Sequence, residues 1–428
     1  MLRRLSRLPS LQLARRFSAA RCEVAIVGGG VIGASTALHL AASLGDGSKI
    51  TVFEPDACYA RASAPRSAGG IRQQFSLPVN VELSLYGIHF LKQRLRELCE
   101  GVDVDTDVQF KEHGYLLLST PDGEAALRAN NAVQHAAGAD WVQLLDASEL
   151  NTRFPWLSTE GLALGSFGTR NEGYFDPWAL LQAMRKGAMA KGVRFVDQKV
   201  TGLRRPGSSI EAIQLADGTD VAVSTVVNAA GAFGGEVVAM CGDVTPLPVA
   251  PRKRCIFMFH VGQEVTSDGV PRPPDNTPLT IDASGVWFRS EGSRGRFLCG
   301  VSPKPEDDAD CDADALDVID HDLFEDDIIW PALAERAPAL EAIKLESSWA
   351  GLYEYNTLDQ NGVVGWHPDV SNLLVATGFS GHGLQQAPGV GRAVAELLTS
   401  GGYQTLDLSI LGYDRILRNE PVFERGIY

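Results

Sequence analysis

A glycine-rich segment near the N-terminus constrains the fold of this chain more strongly than any other feature. Gly28, Gly30 and Gly33 satisfy the pattern G-x-G-x-x-G. The apolar run 23–27 before them predicts a strand, and the composition of residues 31–44 after them predicts a helix. A strand, a tight glycine turn and a helix in this order are typical of a βαβ unit. The sequence therefore predicts a mostly parallel, Rossmann-type sheet that binds a dinucleotide.

Each glycine of this pattern has its own physical task. Gly28 permits the tight turn, Gly30 lets backbone N–H groups approach a pyrophosphate, and Gly33 lets the helix pack closely on the sheet. Glu54 ends the next predicted strand, 21 residues after Gly33, where its carboxylate can accept hydrogen bonds from an adenosine ribose. A carboxylate there repels a 2′-phosphate, which disfavours NADP. The pattern alone does not separate NAD from FAD, so an NAD-linked dehydrogenase stays an alternative.

Two later segments rich in small residues favour FAD. Residues 226–232 end a predicted strand in Val-Val-Asn-Ala-Ala-Gly-Ala, which suits close approach of a ligand to the backbone, although a tight turn explains it as well. Residues 376–385 place three glycines between a strand and a helix predicted over 390–398. A helix N-terminus directed at a ring carbonyl would stabilise negative charge on a reduced flavin.

Four motifs in this order resemble the D-amino-acid-oxidase-like FAD-dependent oxidoreductases, which include sarcosine and glycine oxidases and dimethylglycine dehydrogenase. The motifs are Gly-Gly-Gly-Val-Ile-Gly at 28–33 with its acidic partner, Ser-Ala-Gly-Gly at 67–70, Asn-Ala-Ala-Gly-Ala at 228–232 and Gly-Phe-Ser-Gly-His-Gly at 378–383. The resemblance extends from about residue 22 to residue 402. It implies an α/β fold with a Rossmann-type FAD-binding domain of discontinuous segments and a β-rich substrate or cap domain. The implied boundaries are 22–109, 172–245 and 358–428 for FAD binding, the last including a C-terminal tail, and 110–171 and 246–357 for the substrate domain.

The resemblance also implies which residues contact the cofactor. They are Gly28, Gly30, Val31, Ile32, Gly33, Glu54, Ser67, Ala68, Gly69, Gly70, Val200, Ala230, Gly231, Gly378, Ser380, Gly381, His382, Gly383, Leu384 and Gln385. Ser67 stands where relatives with covalent flavin have a histidine, and residues 349–355 contain no cysteine where other covalent relatives have theirs. We therefore expect non-covalent FAD.

Arg72 and His382 are the candidate catalytic residues. Arg72 falls near the position where amine-oxidising relatives bind the substrate carboxylate, and a bidentate guanidinium suits that task, although a structural ion pair is an equal alternative. His382 either contacts flavin or substrate or orders its own loop.

Gln385 replaces a lysine that binds the same carboxylate in sarcosine oxidases, and residues 286–300 contain no lysine that could activate oxygen. These departures favour a dehydrogenase, or no turnover, over an oxidase. At most one of Tyr353 and Tyr355 is expected to reach a substrate pocket. No ligand spacing predicts a metal site.

The N-terminus has the composition of a mitochondrial transit peptide. Residues 1–21 contain six arginines and no acidic residue. A basic arm that stays attached is the alternative.

The chain also resembles a mitochondrial branch of the family that supports assembly of respiratory complex I. The segments that carry this resemblance are 70–78, 114–118, 175–178, 251–254, 355–365 and 378–389. That branch implies a location in the matrix or on the matrix face of the inner membrane, with assembly intermediates or subunits as partners. The alternative function is oxidation of the C–N bond of a small or N-methylated amino acid.

Charge and hydropathy limit the other partners. The formal net charge is −15, so no positive field attracts nucleic acid, and no apolar run reaches the roughly 18 residues that a membrane span needs. Residues 306–327 contain twelve acidic residues and no lysine or arginine. This acidic window is either a solvated flank or a docking site for a basic partner.

Overall fold

Two large β-sheets organise the chain. The computed structural model describes residues 21–304 and 306–426, so nearly all of the predicted transit peptide lies outside the described residues. In chain order the strands are β1 (Arg21–Val27), β2 (Ile50–Glu54), β3 (Gly70–Ile71), β4 (Tyr115–Ser119), β5 (Val142–Asp146), β6 (Leu164–Gly168), β7 (Gly173–Tyr174), β8 (Arg194–Asp197), β9 (Val200–Arg204), β10 (Ala212–Leu215), β11 (Asp220–Asn228), β12 (Val249–Val261), β13 (Leu279–Ile281), β14 (Trp287–Ser290), β15 (Arg296–Gly300), β16 (Ile343–Asn356), β17 (Val363–Trp366) and β18 (Leu373–Thr377).

Helices connect and cover these strands. The α-helices are α1 (Val31–Leu44), α2 (Pro78–His89), α3 (Leu95–Leu98), α4 (Pro121–Ala136), α5 (Ala147–Arg153), α6 (Pro177–Ala190), α7 (Gly234–Ala239), α8 (Ile329–Arg336), α9 (Gly383–Ser400) and α10 (Asp414–Arg418). A π-helical stretch at Phe90–Arg94 joins α2 to α3, so the amphipathic helix that the apolar spacing of residues 81–98 predicts is present.

The first sheet has the order β17-β18-β11-β1-β2-β8. All neighbouring pairs from β18 to β8 are parallel, whereas β17 is antiparallel to β18, and the β9–β10 hairpin attaches to β11. Side chains alternate between its faces: Ile26 packs in a core with α1, α6 and α9, and its neighbours Ala25 and Val27 pack in a core with the β9–β10 hairpin. This arrangement confirms the predicted α/β class.

The second sheet has the order β16-β12-β15-β14-β13-β4-β6-β5 and is antiparallel except where β13 runs parallel to β4. Its strands come from two stretches of the chain, 115–168 and 249–356, and the first sheet is built from the stretches between and around them. The chain thus passes repeatedly between the two sheets. The domain boundaries given above stay predictions.

Local predictions succeed where the spacing of apolar residues is regular. The helix at Val31–Leu44 and the strand at Tyr115–Ser119 have the predicted bounds, and Asp176 caps α6 by accepting from the N–H groups of Trp178 and Ala179. The predicted start of the last long helix is wrong, because α9 begins at Gly383 rather than at residue 390. Pro388 lies within its second turn, where its missing N–H removes only one helical hydrogen bond.

Candidate functional site

The glycine-rich turn lies where β1, β2 and β11 end together. Gly28 has a φ of 99°, and a Cβ there would collide with the Ala229 carbonyl oxygen. A Cβ on Gly33 would collide with the Gly28 carbonyl oxygen, which shows how closely α1 packs on the turn. Gly30 is different: apart from its own chain neighbours, a Cβ there meets no atom of the described residues within 4 Å. The space above Gly30 is therefore available to a ligand.

The N-terminus of α1 faces this space with unused hydrogen-bond donors. The N–H group of Ala34 donates to the Gly30 carbonyl at 2.8 Å. In the described part of the chain, the N–H groups of Val31, Ile32 and Gly33 meet no acceptor, as expected for the first turn of a helix. Such a turn attracts a pyrophosphate through its free N–H groups and its positive dipole end.

Glu54 supports the same turn. Its carboxylate accepts from the N–H of Gly29 at 2.8 Å and from the N–H of Asp56 at 3.2 Å. Burial raises the pKa of Glu54, and the hydrogen bonds from Gly29 and Asp56 oppose that rise. The carboxylate stands beside the turn as predicted, with acceptor sites left for ribose hydroxyls.

A cavity of about 530 Å³ continues from this turn between the loops of the first sheet and one face of the second. The predicted cofactor residues that line it are Val31, Ser67, Ala68, Gly69, Gly70, Ser380, Gly381, His382, Gly383, Leu384 and Gln385, together with Arg72. From the second sheet come Tyr115, Leu279, Ile281, Trp287 and the end of β16. A narrow turn that opens into a wider cavity fits an extended dinucleotide with a ring system at one end.

Two loops form the part of the cavity that could hold a flavin ring. Three consecutive N–H groups at the start of α9, those of Gly383, Leu384 and Gln385, have no acceptor among the described residues and border the cavity. Opposite them, the Ala68 carbonyl accepts from Nε of buried Arg289 on β14 at 2.9 Å, which ties the loop 67–70 to the second sheet. These α9 amides are suited to a ring carbonyl that gains negative charge.

Arg72 lies in the cavity wall and is 3% exposed. Its backbone N–H donates to Oε1 of Gln385 at 2.7 Å, and Nη2 of its guanidinium lies 3.3 Å from Nε2 of His382. The guanidinium carbon lies 5.0 Å from the ring centre of Phe75 and 5.3 Å from that of Tyr115. No carboxylate oxygen of the described residues lies within 4.0 Å of the guanidinium. The structure thus offers no protein ion pair for this buried cation.

His382 is neutral at physiological pH. Burial, and to a lesser extent the Arg72 charge, lower the pKa of His382 to about 3. A neutral imidazole can accept a hydrogen bond from Arg72 through Nε2, and the ring meets Phe75 edge-on with centroids 5.1 Å apart. This geometry supports a role in orienting Arg72 rather than one as a proton donor.

Two buried carboxyl groups were not identified from the sequence. Glu354 accepts from Oγ1 of Thr377 at 2.7 Å and from the N–H of Gly378 at 3.2 Å, and burial raises its pKa to about 7. Glu172 accepts from the N–H of Gln73 at 2.9 Å beside the Arg72 segment, and burial raises its pKa to about 7 as well. An acidic residue between two strand tyrosines is the one sequence signal that could have revealed Glu354.

Some predicted cofactor residues do not line the cavity itself. Gly28, Gly30, Ile32, Gly33, Glu54, Ala230, Gly231 and Gly378 lie in the neighbouring turns, whereas Val200 begins β9 and packs in the core beside the hairpin. Their cofactor contacts stay predictions. The expectation for Tyr353 and Tyr355 is wrong, because residues two apart on a strand share a face and both line the cavity.

Comparison with known proteins agrees with this geometry. The family model described as FAD dependent oxidoreductase (DAO) matches residues 23–397. FAD-dependent oxidoreductase domain-containing protein 1 of Xenopus laevis is 41% identical over 95% of this chain and 85% of its own length, and the Bos taurus protein of that name is 42% identical over 95% and 87%.

Solved structures share the fold. The crystal structure of L-proline dehydrogenase from P. horikoshii is similar with a TM-score of 0.75 and 24% identity, covering 94% of this chain and all of that one. Glycine oxidase from Geobacillus kaustophilus gives a TM-score of 0.70 with 24% identity over 92% of this chain and 98% of that one. Since the family model covers residues 23–397 and relatives 41–42% identical match 95% of the chain, the chain belongs to the DAO family of FAD-dependent oxidoreductases, and its cofactor is FAD.

Proposed function

We propose that this chain oxidises the C–N bond of a small amino acid or N-methylated amino acid, with non-covalent FAD as the hydride acceptor. One observation carries this proposal: the buried guanidinium of Arg72 lines the FAD cavity and has no carboxylate oxygen of the described residues within 4.0 Å, since buried Glu172 acts on it only from a longer distance. A buried charge is costly unless it is paired, so the site is suited to a ligand that brings a carboxylate. Bound FAD supplies the electron chemistry.

The residues around Arg72 act by binding and orienting. Arg72 binds the carboxylate in a bidentate manner, and neutral His382 accepts from the guanidinium and fixes its plane. Gln385 stands where sarcosine oxidases have a lysine, and here its amide oxygen holds the Arg72 backbone. The charge that binds the substrate carboxylate therefore comes from Arg72 and not from residue 385. With no lysine in residues 286–300, we propose a dehydrogenase rather than an oxidase.

We further propose that the protein is mitochondrial and supports the assembly of respiratory complex I, in the matrix or on the matrix face of the inner membrane. This proposal rests on the arginine-rich residues 1–21 and on the family branch that the chain resembles across its length. Assembly intermediates or subunits of complex I would be its partners. No helix among the described residues has the length and apolar character to cross a membrane.

Arg72→Met tests the catalytic proposal, and cells that lack the protein test the assembly proposal. Arg72→Met, compared with the exposed control Arg418→Met, is expected to keep FAD but to lose bleaching of flavin absorbance by amino acid substrates under anaerobic conditions. Cells that lack the protein should lose assembled complex I, and normal complex I in such cells would contradict the assembly proposal. Arg72→Met then restores complex I if assembly depends on the protein surface and fails to restore it if assembly depends on turnover. Flavin bleaching that is unchanged in Arg72→Met would contradict the catalytic assignment.

A further inference from the structure

Most of the charged side chains that line the cavity have an ion-pair or hydrogen-bond partner within the chain. Arg66 pairs with Asp317 at 2.8 Å, and Arg254 binds Asp308 through two nitrogens at 2.6 and 2.8 Å. Both cations are therefore occupied by residues of the acidic window. Among the described lining residues, neither Arg66 nor Arg254 is therefore an unpaired cation that a ligand could use.

The acidic side chains that line the cavity also have hydrogen-bond or ion-pair partners within the chain. Asp359 forms a buried ion pair with Arg415 at 2.7 Å. Glu424, on the C-terminal tail, accepts from the N–H of Ser76 and from Nδ2 of Asn80, both at 2.6 Å. Glu354 is held under the 378–383 loop by Thr377 and Gly378. Among the lining residues that the structure describes, Arg72 is the cation that has no carboxylate oxygen within 4.0 Å and can bind the carboxylate of a ligand.

The surface next to Arg72 is apolar. Tyr115, Leu279 and Ile281 are at most 8% exposed and form a cluster on one face of the second sheet, with Trp287 packed against it. Leu279 pairs with Tyr115 across β13 and β4, and Ile281 pairs with Trp287 across β13 and β14. The guanidinium of Arg72 lies over the Tyr115 ring at the edge of this cluster. A ligand held by Arg72 therefore extends over an apolar wall.

We propose that the substrate is a monocarboxylic amino or N-alkyl amino acid whose remaining substituent is apolar, and that acidic and basic amino acids are rejected. This inference rests on the proposed function. A second carboxylate or a side-chain ammonium would lose its water against Leu279, Ile281 and Trp287 without gaining a partner. An apolar substituent instead gains free energy by leaving water.

Three carboxylate ligands that differ in the rest of the molecule (a methyl group, an aromatic ring or a second carboxylate) test the inference on the FAD-loaded protein. Acetate, benzoate and glutarate are titrated while the flavin absorption spectrum is recorded. Benzoate is expected to bind about tenfold or more tightly than acetate, because its ring is buried on the apolar wall, and glutarate no more tightly than acetate. Trp287→Lys adds a second cation and is expected to reverse the order of benzoate and glutarate. The exposed control Trp366→Lys should leave the order unchanged.

The outcomes separate the inference from the proposed function. If Arg72→Met abolishes binding of all three ligands but wild-type protein binds glutarate or acetate as tightly as benzoate, the inference is overturned and the carboxylate site stands. If Arg72→Met binds all three like wild type, the proposed function itself fails. If Trp287→Lys does not fold, the order in which wild-type protein binds the three ligands decides the inference by itself.

Discussion

The open space above Gly30 yields the sharpest prediction. Gly30→Thr adds a branched side chain where the protein alone has room, since no protein atom lies within 4 Å of the added Cβ. The backbone there, with φ −61° and ψ −171°, is accessible to any residue, and threonine ranks beside glycine as a helix N-cap. Unfolding free energy without FAD should therefore change by no more than about 0.5 kcal/mol.

With FAD present, the same side chain occupies the place of the pyrophosphate. FAD at a hundred times its dissociation constant should stabilise the wild-type protein by about 2.7 kcal/mol, and Gly30→Thr should lose this gain. Urea unfolding with and without added FAD measures both quantities, and the flavin-to-protein ratio after gel filtration gives binding directly.

Gly33→Ala provides the contrast. Its Cβ collides with the Gly28 carbonyl, so it should cost about 1–3 kcal/mol even without FAD. A Gly30→Thr protein that keeps a full complement of FAD would refute the reasoning.

Three further substitutions test the surroundings of the cavity. Glu354→Gln should gain stability relative to wild type as pH rises from about 4.5 to 7. The reason is that native wild-type protein keeps the Glu354 proton through that pH range, whereas the unfolded chain loses it. The difference in unfolding free energy, on the order of 3 kcal/mol, is measurable by urea unfolding at pH 5 and pH 8. Arg415→Leu leaves the carboxylate of Asp359 buried and unpaired and should cost about 3–5 kcal/mol, which a stability equal to wild type would disprove. Gln385→Lys removes the acceptor of the Arg72 N–H and should cost about 1–3 kcal/mol by the same urea assay; an unchanged midpoint would argue against this contact.

The sequence predicts those parts of the fold that local chemistry determines. The turn with Gly28 and Gly33 could be identified because a left-handed backbone and close helix packing each require glycine. The continuous apolar run Tyr-Leu-Leu-Leu at 115–118 likewise specifies β4, all of whose residues are buried. The start of α9 could not be read correctly, because Pro388 signals a helix start while packing of the preceding turn extends the helix.

Long-range contacts explain what the sequence did not reveal. Gln385 is 313 residues from Arg72, and nothing local indicates that its amide holds the Arg72 backbone. Burial by the tertiary fold raises the pKa of Glu354 to about 7, although the hydrogen bonds from Thr377 and Gly378, which come from elsewhere in the chain, favour its charged form. Likewise, acids of the window 306–327 meet Arg66 and Arg254 through the tertiary fold, which the count of acidic residues alone cannot show.

The identity and attachment of the bound nucleotide test the central claim most directly. The purified protein is precipitated with acid, and the supernatant and the pellet are examined by absorption and mass spectrometry. The account predicts one FAD per chain in the supernatant and none attached to the polypeptide. A nicotinamide nucleotide, flavin retained in the pellet, or a protein that takes up no FAD when supplied in excess would contradict it.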